Sequence, residues 1–252
     1  MKLIDLNAEN LDREHICCAI TEKKGENCVA SKKAWLRDRF ADGLVFKRLD
    51  ARGKVFIEYL PAEKAWCPID ADGYMHIDCF WVSGQFKGQG YANQLLDACI
   101  ADAKAKGMLG LTVLASDKKR PFLSDPKYLK YKGFQVADRA EPFFELLCLP
   151  FDNAAPVPRF KPCAKEGRTK EPGLVLYYTA QCPHTAKYAP LIERSARARG
   201  VDMVLHEVKS AEEARNAPTP FTTYSLFFNG AFVTNEILSE AKFQQFLEAH
   251  GI

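Results

Sequence analysis

The sequence predicts an α/β protein of the mixed, α+β kind: a central sheet with flanking helices, followed by a second and smaller α/β unit. Three observations carry this expectation. Tyr74 to Val82 is rich in β-branched and aromatic residues with partial alternation, and it runs through a glycine-rich turn into a long amphipathic pattern, the order strand, turn, helix. Residues 151–172 interrupt the periodic segments with prolines and charges, as a linker does. From residue 173 the patterns resume as strand (174–178), helix, strand (201–208), short helix, hairpin and terminal helix. The expected boundaries are therefore 1–150, 151–172 and 173–252.

Within the first unit the best-defined helix follows the glycines. Ala92, Leu95, Leu96, Cys99, Ile100 and Ala103 recur at helical spacing, Lys104 and Lys106 suit the negative end of the helix dipole, and Gly107 stops it. The turn itself reads Gly84-Gln85-Phe86-Lys87-Gly88-Gln89-Gly90-Tyr91-Ala92. Glycines let the backbone turn tightly and approach a ligand, and the helix behind offers unpaired N–H groups, so the segment predicts an anion cradle suited to a pyrophosphate. Two nucleotide motifs fail on spacing. A Walker A loop needs Lys and Ser or Thr after its last glycine, whereas Gly88 precedes Gln89 and Gly90 precedes Tyr91; a dinucleotide fingerprint begun at Gly88 needs a small residue where Asn93 stands.

Composition narrows the partners. The chain has 252 residues, 35 basic against 32 acidic, for a net charge of +3, too even a balance to argue for nucleic acid. Met1 to Leu6 leads into polar residues rather than a signal core, and no apolar run approaches membrane-spanning length, so a cytoplasmic protein without a membrane partner is expected. Nine cysteines without repeated Cys-x-x-Cys spacing fit reduced thiols. His15, Cys17 and Cys18 have the wrong spacing for the common zinc patterns and fall in an apolar stretch, so no metal site is expected. Trp35, Trp66, Cys67 and Phe86 are candidates either for core or for the lining of an amine pocket.

Gln85-Phe86-Lys87-Gly88-Gln89-Gly90 fits the pattern Gln/Arg-x-x-Gly-x-Gly/Ala, and on it the first unit resembles the GNAT superfamily of N-acetyltransferases. The coarse order agrees: helical pieces near 11–20 and 31–41, strands near 44–50 and 54–60, the strand, loop and helix above, a strand near 109–115, and closing strands near 135–137 and 143–149. The resemblance implies a mixed central sheet, acetyl-CoA as cosubstrate, and direct transfer of the acetyl group to the amine of a small molecule or peptide. It also implies that Phe80, Trp81 and Val82 bond the pantetheine arm, and that Gln85, Phe86, Lys87, Gly88, Gln89, Gly90, Tyr91 and Ala92 hold the pyrophosphate. The family's acid tyrosine would fall at Leu129, four residues before Gly133, which leaves the neighbours Tyr128 and Tyr131 as candidates. For a base, His76 and Asp78 lie two apart on the strand entering the loop and should share a face, with Cys79 on the other. A homodimer is compatible with the sequence.

In the second unit Phe227-Phe228-Asn229-Gly230-Ala231-Phe232 signals a hairpin. Cys182-Pro183-His184-Thr185 follows the first strand and opens a helix, and on this order residues 173–252 resemble thioredoxin-like folds; the pairing with a GNAT unit resembles proteins carrying a YoaP-like domain. A thiol at a helix start should have a lowered pKa, which makes Cys182 a candidate nucleophile. Thr185 replaces the usual second cysteine, Cys163 is a candidate resolving thiol, and Pro218 and Pro220 are both candidates for the cis-proline such folds place beside the thiol. The competing reading of the whole chain is an acyl-CoA sensor or thiol-redox protein that uses Cys182 without acyl transfer.

Overall fold

The computed structural model describes residues 2–252. In chain order the elements are β1 (Leu3–Leu6), α1 (Cys28–Phe40), β2 (Val45–Leu49), β3 (Val55–Pro61), β4 (Ile69–Asp70), β5 (Tyr74–Val82), α2 (Tyr91–Ala105), β6 (Gly110–Ser116), α3 (Pro126–Tyr131), β7 (Gln135–Ala140), β8 (Phe144–Pro150) and β9 (Arg159–Phe160). They continue with β10 (Leu174–Tyr178), α4 (Pro183–Ala198), β11 (Met203–Glu207), α5 (Ala211–Arg215), β12 (Tyr224–Phe228), β13 (Ala231–Thr234) and α6 (Glu240–Ala249). The expected helix over 11–20 is instead a run of turns with an isolated bridge between Ile16 and Ala19. Leu11, Ile16 and Cys17 are nonetheless fully buried, so the segment packs as an irregular strap whose apolar residues serve the core without helical spacing.

Seven strands form a mixed sheet in the order β1-β2-β3-β5-β6-β8-β7, in which only β5 and β6 are parallel. α2 and α3 cover one face, where Met75 and Ile77 of β5 meet Leu95, Leu96 and Leu129. α1 covers the other, with Trp35 and Leu36 over Phe46, Phe56 and Leu60. The same apolar cluster takes in Val208, Ala214 and Phe232 from the C-terminal part of the chain, so one core runs under both sheets.

The second sheet has the order β11-β10-β12-β13, with β10 parallel to β11 and antiparallel to β12. α4 and α6 pack on it through Ile192, Phe243 and Leu247. Its hairpin turns through Asn229 (φ 47°) and Gly230 (φ 78°), the pair of left-handed residues that an Asn-Gly turn provides. Two expectations need correction. Residues 151–172 are not a free linker: β9 pairs with β4, and Thr169 N–H donates to Gly230 O at 3.0 Å. Neither Pro218 nor Pro220 follows a cis peptide; the one cis peptide among the described residues is Glu141–Pro142.

Candidate active site

β5 positions the candidate chemistry, and its irregularities decide how. Against β3 it pairs Cys79 with Glu58 but Ile77 with Tyr59, so Asp78 is an extra residue, a β-bulge. Strict alternation would send Cys79 away from His76 and Asp78. The bulge instead puts all three on the face that carries Phe56 and Glu58, and the expectation that Cys79 points the other way is overturned. The second irregularity is a parting of strands. β5 and β6 pair from Tyr74/Gly110 only to Ile77/Val113, while β5 continues to Val82 and β6 to Ser116, so the backbone edge of 78–82 on that side has no strand partner.

The glycine loop lies at the end of this opening. Phe86 anchors it, buried against Gly53, where an added Cβ would sit 2.2 Å from the ring, and edge-on to Tyr91. Gly84, Gly88 and Gly90 have φ of 60°, 75° and 81°, and a Cβ on any of them would meet nothing within 4 Å. Gly90 is the N-cap of α2 without a side-chain cap, and the first helical bond is Gln94 N–H to Gly90 O at 3.1 Å. The N–H groups ahead of Gln94 thus have no intrahelical partner at the positive end of a 15-residue helix, beside glycines with open space around them, a fit for an anionic phosphate group. Gln85, Lys87 and Gln89 are exposed around it, with the Gln89 amide bonded to Gln85 O, and Ala92 is half-buried in the first turn. Lys119 and Arg120 are paired with Asp125 and Asp117.

A cavity of about 360 Å³ opens beside the strand parting. Its walls come from both parts of the chain: β3 and β5, the 121–124 loop, the start of α4 (Gln181, Cys182, His184) and the turn Pro220–Thr223. Asp78 has a side chain only 5% exposed, and burial and the Glu58 carboxylate push its pKa well above the usual carboxylate range, against the opposing pull of Lys32 and of the Gln181 amide. His76 Nδ1 lies 3.0 Å from Thr112 Oγ1 and its Nε2 3.8 Å from Asp78 Oδ1; burial lowers its pKa to about 4, so the ring is neutral at physiological pH. Glu58 and Lys32, each 1% exposed at the side chain, form an ion pair at 2.7 Å. Burial disfavours the Lys32 charge, but the Glu58 carboxylate, together with the Cys18 and Cys79 sulfurs, outweighs this and holds its pKa above the ordinary value.

Lys32 and Glu58 were missed in the sequence. A lone Glu in the apolar run Val55-Phe56-Ile57-Glu58-Tyr59-Leu60 was the available signal, whereas Lys32 sits in an ordinary helical pattern. Among the other candidates, Phe80 and Trp81 line the cavity, with Val82 pairing Val55 beyond it. Tyr128 lies beside Phe80, its hydroxyl donates to Asn93 Oδ1 at 3.0 Å, and burial pushes its pKa up to about 12. Tyr131 is 84% exposed and is not part of the cavity wall. Trp66 and Cys67 line it, Trp35 backs Trp66, and Phe86 belongs to the opposite face.

Cys182 is the N-cap of α4, as its position in the sequence predicts, but its thiol is not activated. Burial pushes its pKa up to about 12, outweighing the nearby His184 backbone N–H, and the thiol makes no capping hydrogen bond. The helix-terminus effect is worth a fraction of what desolvation costs a thiolate. Cys163 is exposed, with its thiol directed at Arg215 O, 3.7 Å away.

Residues 10–121 match the acetyltransferase (GNAT) family and residues 203–245 the YoaP-like family. Over 247 residues, 98% of each chain, the sequence is 45% identical to the uncharacterized N-acetyltransferase YoaP of Bacillus subtilis. The chain belongs to the GNAT acetyltransferase family. Among solved structures, this acetyltransferase is similar to a GNAT-family acetyltransferase from Brucella melitensis in complex with acetyl-CoA (TM-score 0.40, 15% identity, 64% of this chain and 92% of that one). It is also similar to the ribosomal-protein-S18-alanine N-acetyltransferase of Escherichia coli (TM-score 0.40, 13% identity, 61% and 96%).

Proposed function

We propose that this acetyltransferase moves an acetyl group from acetyl-CoA to an amine bound in the cavity beside β5. The observation that carries the reading is the alignment of three features along one path: an uncapped helix start behind three open glycines, an unpaired strand edge, and a cavity with a buried carboxyl group at its wall. Acetyl-CoA supplies the acetyl group as a thioester. The amides of the 85–92 loop and the first turn of α2 bind the pyrophosphate, with Lys87 adding charge at the rim. The free edge of 80–82 bonds the pantetheine amides as a neighbouring strand would.

An amine arrives as an ammonium and must lose a proton before its nitrogen bonds to the thioester carbon and the carbon–sulfur bond breaks. Asp78 is the base in this reading: its raised pKa brings its proton affinity closer to that of the amine. His76, neutral and held by Thr112, lies beside it as a second acceptor. Tyr128, which keeps its proton throughout the neutral range, is the donor to the departing sulfur. The C-terminal unit, residues 173–252, we infer to be thioredoxin-like on its β-α-β, β-β-α order, with 151–172 as a packed strap; the nine unpaired thiols support a cytoplasmic setting.

The test has two arms. Acetyl-CoA is expected to protect the 85–92 amides from hydrogen exchange, and Asp78→Asn is expected to lower kcat by about 10²–10⁴-fold with acetyl-CoA affinity unchanged. Absence of protection would sink the donor site, and a wild-type kcat in the Asp78→Asn variant would remove Asp78 as the base.

A further inference from the structure

The cavity is not a property of the seven-stranded sheet alone, and the part of it contributed from beyond residue 173 has a chemical character. Gln181 shares the cavity wall with Asp78. Its Oε1 accepts from Thr223 Oγ1 at 3.2 Å, which leaves the amide N–H₂ as its free donor on that wall. Phe221 adds an apolar wall, and the turn that carries it is fastened to the loop between β3 and β4 by Thr222 Oγ1 donating to Trp66 O and by Cys67 Sγ donating to Pro220 O at 3.3 Å.

Phe122, also in the lining, is 40% exposed with φ of 62°, a left-handed conformation that bulky residues disfavour. Its loop is held from the C-terminal unit, where the buried Asn235 donates to Pro121 O at 2.8 Å. Trp81, 45% exposed, lies on the same cavity wall. Two exposed aromatic rings on one cavity, one of them held in a disfavoured conformation, mark a place where an apolar ligand surface is covered.

The charges set the other half of the specificity. Glu58 and Lys32 neutralise one another, so Asp78 is the one carboxyl in the wall without a paired cation, and the Lys54 ammonium in the lining repels further positive charge. One ammonium finds a counter-charge; a second would face aromatic carbon and thiols.

We propose that the C-terminal unit completes the acceptor site, and that the site takes a small primary monoamine with an aromatic or bulky apolar body, its nitrogen at Asp78 and its body between Trp81, Phe122 and Phe221. This rests on the acetyltransferase reading above and specifies its acceptor. Polyamines and peptide N-termini are disfavoured, the first by extra charge and the second by backbone groups that the apolar walls leave unbonded.

The experiment compares kcat/KM of the full chain for 2-phenylethylamine, spermidine and trialanine by release of CoA thiol. The expected result is a preference of at least tenfold for 2-phenylethylamine. Phe122→Gly then separates site from scaffold. Glycine relieves the left-handed strain, so the variant is expected to melt no lower than wild type, while KM for 2-phenylethylamine rises about tenfold and KM for acetyl-CoA is unchanged. Preference for spermidine or trialanine, or an unaltered amine KM in the glycine variant, would overturn the proposal and leave acetyl transfer standing. Failure to release CoA with any amine, together with no protection of the 85–92 amides by acetyl-CoA, would overturn both.

Discussion

His76 is a titratable side chain that folding has stripped of water, and the consequence is measurable. Its pKa falls from an ordinary 6.5 to about 4 through burial, so between those values the unfolded chain takes up a proton that the folded chain refuses. Stability from this group is therefore complete above pH 6.5 and is lost on acidification towards pH 4, by about 3 kcal/mol at most. Asp78 acts in the opposite sense: the folded chain keeps its proton where the unfolded chain has released it, which favours the fold on the acid side. His76→Gln, which keeps a partner for Thr112, is expected to flatten the acid-side fall in urea-unfolding free energy between pH 7.5 and 4.5. An unchanged slope would mean that His76 is solvated in the folded chain. Both residues were legible as candidates because they sit on the strand entering the loop. Cys182 shows the limit of such reading: its place at a helix start is written in the sequence, but the burial that raises its pKa is supplied by residues far away in the chain.

At the scale of elements, α1 and β3 are joined by the buried Lys32–Glu58 pair. Removing one partner leaves a charge in a water-poor site, so Lys32→Met is expected to cost about 3–5 kcal/mol in denaturant unfolding. Adding Glu58→Gln should recover much of that, because the orphaned charge disappears with it. A double variant no more stable than the single would show that the two groups are not coupled. Strands and the main helix were readable because their signals are local: the β-branched and aromatic run of β5, the apolar spacing of α2, the Asn-Gly turn. The bulge at Asp78 was not, since period-two alternation is all that a sequence displays, and a one-residue insertion leaves no mark until the partner strand is known. The turns over 11–20 misled for a related reason, because buried apolar residues there follow the shape of the cavity they fill rather than a helix.

For the molecule as a whole, the two sheets share one apolar cluster: Phe232 of β13 packs edge-on against Phe143 and Phe144, and Val208 and Ala214 join the core around Phe46 and Phe56. Cooperative unfolding is expected to follow, with one calorimetric transition that coincides with loss of tertiary signal rather than two separable ones. Two resolved transitions would mean that the interface contributes little. This interface was the least legible part of the chain, because proline and charge content reads the same in a packed strap as in a loose one. The cavity wall draws on positions from Cys18 to Thr223, and that spread has a temporal meaning. A chain emerging from the ribosome completes the glycine loop and α2 long before the 220–223 turn and Asn235 exist. If the sites are as proposed, the nascent protein acquires the means to hold a donor while it still lacks a finished place for an acceptor, and it becomes selective only once residues 220–235 have emerged.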